Sequence, residues 1–187
     1  MGWLLSFAVC VAVPLAGCAD GRYEMYVNDQ SLAVIEVLFL KGRCCGRLTI
    51  DSISQDARGA IVTFAEYVAD HIPLDGSVPR TDKQLQGLVP ASGELSDWVE
   101  DTSVDPNVGP RLITTSAFDW ANGGAGPFAD HGFEAVAIEN YKHQTEGWDL
   151  TLELVYQTTS EGANAAFHHR NPEYPDDPYW DVGTRIH

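Results

Sequence analysis

A short apolar segment in the second half of the chain most constrains how the protein can fold. The segment Phe133–Ile138 contains an aromatic residue and two β-branched residues, is entered through a glycine and is left through polar residues. This pattern predicts a strand that is buried on both faces. Asp130 and His131 lie in the loop that opens the strand, and Glu139 closes it. Since α/β sheets usually carry their chemistry at strand ends, these three side chains are the first candidates for a functional site.

The second strong signal is an amphipathic helix that ends at Pro73. Apolar or small residues recur at the i, i+3, i+4 spacing of one helical face, at Ala57, Ala60, Ile61, Phe64, Ala65, Val68, Ala69 and Ile72. Ser52 and Gln55 have the spacing of a capping box at its start. We expect the apolar face to be buried and the residues on the opposite face to be exposed, among them Arg58, Glu66 and Asp70.

Alternation of apolar and polar residues from Trp148 to Gln157 predicts a half-buried strand, because successive side chains of a strand point to opposite faces. Weaker patterns predict further elements: strands at 31–40, 47–53 and 111–118, a short helix carrying Leu95, Trp98 and Val99, and loops at 74–93 and 100–110. Strands alternating with a strong helix indicate a single α/β domain, here residues 20–187.

The N-terminal segment indicates export. Residues 3–17 form an apolar run that is too short to span a bilayer as a permanent helix and that ends in small residues, as a signal-peptide core does. Leu15-Ala16-Gly17-Cys18 resembles the lipobox of bacterial lipoproteins. We therefore expect a signal peptide over residues 1–18, acylation of Cys18, and an extracytoplasmic, membrane-anchored lipoprotein. Ordinary cleavage after Ala19 and an uncleaved core segment are the alternatives.

The charge balance restricts the partners of the protein. The chain has 27 acidic and 11 basic residues and a formal net charge of −16. Nucleic acid and anionic membrane surfaces are poor partners for such a chain, so the expected link to the membrane is the lipid on Cys18. We interpret the acidity as a solvating surface rather than a cation-binding site. A peptide or protein is the ligand class that we consider.

Cys44 and Cys45 are the cysteines that would remain beside Cys18 after processing. Neighbouring residues of an extended chain point apart, so a vicinal disulfide needs a strained turn, which the flanking glycines would permit. A pair of buried or idle thiols is the simpler interpretation, because no other cysteine completes a disulfide or zinc framework.

Several separated segments resemble the C-terminal third of the M28 family of zinc exopeptidases. They are Pro127-Phe128, residues 132–136 and the tail 166–181, and the helix start Gln55–Gly59 resembles the D-N-x-S-G segment of the family. The resemblance implies an α/β fold with a mixed central sheet flanked by helices, here in truncated form. It also implies a two-zinc aminopeptidase activity.

The departures from the family pattern fall on the metal site. The resemblance places Gln55 at the bridging aspartate, Gln84-Leu85 at the paired glutamates, Gly123–Ala125 at the S-D-H segment and Pro175 at the last histidine. The first metal histidine of the family has no counterpart. Because these side chains supply neither the carboxylates nor the imidazoles that zinc and its activated water require, we expect a degenerate site and no cofactor.

An alternative zinc site can be built from the imidazole and carboxylate side chains that remain. Its candidate ligands are Asp130, His131, His168 and Asp177, with Glu139 and His169 as further members. A hydrogen-bonded loop residue is the simpler explanation of each histidine. Three hypotheses follow: a lipid-anchored M28-like domain with a degenerate metal site and a binding or scaffolding role, an active zinc-dependent exopeptidase with relocated ligands, or an extracytoplasmic interaction module unrelated to peptidases.

Overall fold

The computed structural model describes residues 24–28, 34–73, 77–103, 111–114, 116, 126–169 and 184–186. The strands are β1 (Glu24–Asn28), β2 (Ile35–Lys41), β3 (Cys44–Ile50), β4 (Trp98–Glu100), β5 (Arg111–Ile113), β6 (Phe133–His143), β7 (Asp149–Gln157) and β8 (Thr184–Ile186). The helices are α1 (Gln55–His71), α2 (Asp82–Gln86), α3 (Gly126–Asp130) and α4 (Ser160–His169). None of the helices in these ranges is long and apolar enough to cross a membrane. The predicted signal peptide, with Cys18, lies outside the described residues.

The strands form one sheet in the order β4-β6-β7-β3-β2-β1-β8, and β5 also pairs with β6. Every pair among the described strands is antiparallel. The combination of helices and strands was predicted correctly, whereas the expectation of a mixed sheet was wrong for this part of the chain. The direction of a pair depends on its connection, and a local pattern of residues does not contain that information.

Short connections explain the antiparallel pairing. Gly42-Arg43 joins β2 to β3, and Gly42 has a φ of 57°, which a glycine adopts without steric cost. Residues 144–148 join β6 to β7, with Gly147 at a φ of 73°. A parallel crossover needs about a dozen residues or more, so both connections are compatible only with antiparallel neighbours.

Helix α1 covers one side of the sheet, which we call the first face, and forms the larger core. Its buried residues are Ala57, Ile61, Phe64, Ala65, Val68 and Ala69, so the predicted apolar side of this helix is confirmed. They pack against inward-pointing side chains of β2, β3, β6 and β7. Asp70 is exposed as predicted, whereas Arg58 and Glu66 are half-buried.

Both ends of α1 have their backbone groups satisfied by side chains. The hydroxyl of Ser54 accepts a hydrogen bond from the Ala57 N–H at 3.0 Å, so Ser54 is the N-cap in place of the predicted Ser52. At the other end, the buried Lys41 donates from Nζ to the carbonyl of Ala69 at 2.6 Å. The last carbonyls of a helix have no partner within the helix, so Lys41 ties β2 to the end of α1.

Helices α3 and α4 pack on the opposite side of the sheet, which we call the second face. The buried residues of this smaller core are Leu38, Cys45, Ile113, Phe128, Val136, Val155, Ala163, Ala166 and Phe167. Helix α4 follows β7 directly, in a region that the sequence analysis left without a helix. The sheet is therefore the middle layer between α1 on one side and α3 with α4 on the other.

Several predicted elements differ from the structure, among them the strands predicted at 47–53 and 111–118, which are Cys44–Ile50 and Arg111–Ile113. Strand β6 continues to His143, so Glu139 lies inside this strand and does not close it. Trp98 begins strand β4 and pairs with His143, where a short helix was predicted, because pairing with β6 overrides the weak helical pattern. Helix α2 lies inside the segment that was predicted as a loop.

Candidate functional site

The described members of the predicted zinc site are spread along α3 and α4. Asp130 is the exposed last residue of α3, and His131 is the half-buried residue that follows. His168 lies in the last turn of α4, six residues after Gly162, which is about 9 Å further along the helix axis. Gly162 itself lies against the His131 carbonyl. Asp177 lies outside the described residues.

Glu139 lies on the other side of the sheet from α3. Glu139 is two residues from both Ala137 and Tyr141 along β6, so it shares their face of the strand. Ala137 and Tyr141 belong to the first-face core, and only 7% of Glu139 is exposed. Its carboxylate accepts a hydrogen bond from the Asn140 N–H at 3.1 Å. Across the described ranges, no three His, Cys, Asp or Glu side chains converge in a group that could hold a metal ion. The relocated ligand set therefore stays a prediction.

An ion-pair cluster at the start of β6, the Glu134 cluster, joins three segments of the chain. The Glu134 carboxylate accepts a hydrogen bond from Arg43 at 3.1 Å and another from Arg80. Arg43 lies in the β2–β3 turn and also donates to the carbonyl of Thr158 at 3.1 Å. The guanidinium groups are therefore engaged in fixing the turn, the start of β6 and the segment before α2.

Amides stand at the two positions where the resemblance places metal-site carboxylates. Gln55 is the exposed first residue of α1. Gln84 lies in α2, where its Oε1 accepts a hydrogen bond from the Arg80 N–H at 2.8 Å. Neither side chain supplies the negative charge that holds zinc ions or activates their bound water.

An open recess lies between the sheet and the helices of the second face. It leaves about 20 Å³ for the centres of water-sized groups, which is room for one or two water molecules or a methyl group. The residues that line it come from β2, β3, β7, α3 and α4: Leu38, Cys45, Gly46, Arg47, Phe128, Glu153, Val155, Ala166 and Phe167. Its walls are apolar except at Arg47 and Glu153, so it suits an apolar group with polar atoms beside it.

A polar strip continues from the recess across the same face of the sheet. We define it as Glu36, Arg47, Thr49, Asn140, Thr151 and Glu153, which are half-buried except for the buried Glu36. Arg47 pairs with Glu36 and, at 3.2 Å, with Glu153. Thr151 donates to the side-chain carbonyl of Asn140 at 3.0 Å. The strip presents a fixed pattern of hydrogen-bonding groups on rigid strands.

The charges of the strip are mutually stabilised. Burial lowers the pKa of Arg47, but the neighbouring Glu36 and Glu153 carboxylates outweigh this effect and raise the pKa overall. Arg47 therefore stays cationic at every physiological pH. The sequence analysis missed these residues because the alternation within each strand was visible, whereas the register that sets Arg47 opposite Glu153 was not.

Cys44 and Cys45 are both buried, and neither forms a disulfide within the described residues. They lie on opposite faces of β3, as adjacent residues of a strand must, so the interpretation as buried thiols is confirmed. Burial raises the pKa of the Cys44 thiol, which lies opposite Tyr156 in the first-face core. Cys45 donates from Sγ to the carbonyl of Ala163 in α4 at 3.1 Å.

Comparison of the chain with models of protein families, with curated proteins and with solved structures gave no significant match. The candidate site is therefore argued from geometry. In the polar strip, the charged side chains are paired with one another across strands: Arg47 with Glu36 and with Glu153. Such an arrangement offers hydrogen bonds and shape to a ligand, beside an apolar recess, and this is the chemistry of a binding surface.

Proposed function

We propose that this protein is an exported, lipid-anchored interaction module, and that the recess and the polar strip together form its binding surface. The leader-like N-terminal segment, which ends in Cys18, supports export and anchoring. The formal net charge of −16 favours a partner that carries basic groups. The polar strip supplies fixed hydrogen-bonding partners, and the recess beside it offers apolar walls and room for a small apolar group of that partner.

The observation that carries this proposal is the chemistry at positions 55 and 84. A dizinc exopeptidase of the M28 family would need carboxylates where the resemblance places these two residues, and here both side chains are uncharged amides. The narrower proposal, a degenerate M28-like domain, would also require a mixed sheet, whereas all described strand pairs are antiparallel. We therefore infer an interaction module outside that family.

An active zinc exopeptidase is the second candidate. It would need Asp130, His131, His168 and Asp177 to meet around a metal. Asp130 and His131 are close to the start of α4, whereas His168 lies in its last turn. This arrangement favours the interaction module, and a direct measurement of zinc and of peptide hydrolysis separates the two.

Site-specific photocrosslinking in the native cells tests the binding surface. A photoreactive amino acid replaces Thr49 or Thr151 in the polar strip, and Thr63, exposed on the outer side of α1, serves as the matched control. We expect a discrete crosslinked protein adduct from both strip positions and none from position 63. Adducts from position 63 alone, or equal adducts from all three positions, would exclude the second face as the binding surface.

Membrane fractionation tests the anchor. We expect the wild-type protein in the membrane fraction and expect Cys18→Ser to release it or to block processing. Stable anchoring needs more than one acyl chain, because each buried CH₂ contributes only about 0.8 kcal/mol. Unprocessed precursor that stays soluble in the cytoplasm would disprove export.

A further inference from the structure

The helices on the two faces of the sheet differ in the number and size of the side chains that they bury. Helix α1 buries six side chains, among them Ile61, Phe64 and Val68, in the larger core. Helix α4 contributes Ala163, Ala166 and Phe167 to the smaller core, so two of the three buried side chains described on this helix are single methyl groups. Elements with few buried apolar contacts are the ones that open locally in native proteins.

The region beneath α4 is also imperfectly filled. The recess lies between Ala166 and Phe167 of α4 and the sheet residues Leu38 and Val155. Gln157 is fully buried at the end of β7, immediately before α4, and neither polar atom of its side chain has a hydrogen-bond partner in the described part of the protein. A buried amide without a partner destabilises the closed arrangement, and contact with water would relieve it.

The hinge of α4 is the segment before its first turn. Thr158 is fixed to the sheet, and a tight contact follows at Gly162. Thr158 donates from its N–H to the carbonyl of Gly132 at 2.8 Å and accepts from Arg43, so it is held to the sheet. Thr159 caps the helix, since its hydroxyl accepts from the Gly162 N–H at 2.9 Å. A Cβ on Gly162 would lie closer than 3.0 Å to the His131 carbonyl oxygen. Movement of α4 as a unit therefore begins after Thr158.

We propose that α4 is a cover that opens from the second face about Thr158–Ser160, while α1 and the sheet remain folded. Opening exposes the Cys45 thiol and widens the recess, and closing buries the thiol and narrows the recess. This inference concerns access to the recess and does not depend on what binds there. It also makes α4 the element whose position decides whether the deepest part of the proposed binding surface can be reached.

The adjacent cysteines report separately on the two faces of the sheet. Cys45 lies under α4 with its thiol on the Ala163 carbonyl, so it reacts when α4 opens. Cys44 lies in the core beneath α1 and is fully buried, so it reacts only when the main core is disrupted. Two thiols at neighbouring positions thus distinguish opening of α4 from global unfolding.

The test is the rate of alkylation of the full-length protein by N-ethylmaleimide over a urea series, with each site resolved by tandem mass spectrometry. Rates are normalised to those of the same thiols in the denatured chain. We expect Cys45 to react at least about tenfold faster than Cys44 without urea, and its rate to depend less on urea, since local opening exposes less surface. A smaller ratio, or equal urea dependences, overturns the proposal.

Variants at two glycines provide an independent check. Gly162→Ala places a Cβ against the His131 carbonyl oxygen and should accelerate Cys45 alkylation about tenfold, because the clash destabilises the closed arrangement of α4. Gly59→Ala in α1 is the matched control, since a Cβ there meets no atom within 4 Å. It should leave the Cys45 rate unchanged. Equal acceleration of Cys44 and Cys45 by Gly162→Ala would show global destabilisation instead and would overturn the proposal.

Discussion

Replacement of Phe64 by alanine should remove a large part of the stability of the fold. Phe64 is fully buried, and its ring meets those of Trp98 and Tyr141 edge-on, with centroids 5.7 and 4.8 Å away. Truncation of a core phenylalanine typically costs about 3–5 kcal/mol, and loss of two aromatic pairs places Phe64 in the upper part of that range. Since a domain is stable by only about 5–15 kcal/mol, the loss is about a quarter of the total or more.

Urea denaturation followed by circular dichroism measures this change in the free energy of unfolding. In thermal denaturation followed in the same way, the melting temperature should fall by about 6–20 °C, because each kcal/mol corresponds to about 2–4 °C for a domain of this size. Thr63→Ala is the control, since Thr63 is exposed on the same helix and surface changes stay within about 0.5 kcal/mol. A loss below about 1 kcal/mol for Phe64→Ala would refute the assignment of the main core to α1.

Three further predictions concern single sites, each checked by the free energy of unfolding in urea. Ser54→Ala removes the α1 N-cap and should cost about 1 kcal/mol. Gly46→Ala should cost about 1–3 kcal/mol, because a Cβ there would lie closer than 3.0 Å to the Phe39 ring, and Phe39→Leu in the same chain should restore part of the loss. Burial and the Asp70 charge raise the Glu66 pKa in the folded state, so ionised Glu66 destabilises the fold above that pKa. The free energy of unfolding should therefore rise as pH falls through that pKa. Glu66→Gln should therefore stabilise at neutral pH and have no effect once the carboxyl is protonated; stabilisation that is independent of pH would contradict this cause.

Elements with strong periodicity could be predicted from the sequence. The apolar side of α1 and the strand from position 148 to 157 appear where their spacing places them, because a long amphipathic pattern has one low-energy arrangement against a core. Helix α4 was missed because its apolar face consists largely of alanines, which give a weak pattern. Its start nevertheless carried a signal, since Thr159 is an N-cap residue.

The candidate site could be predicted only in part. Glu139 seemed to end a strand because the apolar run stops there, yet pairing with β7 carries β6 on to His143. Arg47 and its two glutamate partners lie on three different strands, and their proximity follows from strand order and register. Such long-range pairing is not encoded in any local spacing of residues.

Zinc content and aminopeptidase turnover, measured on one sample of the full-length protein purified without chelator, test the proposal of an interaction module most directly. Elemental analysis gives the number of zinc ions per chain, and hydrolysis of aminoacyl amides is followed before and after addition of zinc. We expect no stoichiometric pair of zinc ions and no turnover, since uncharged amides stand at positions 55 and 84. Two tightly held zinc ions, with turnover that Asp130→Ala or His131→Ala abolishes, would contradict it and establish the exopeptidase.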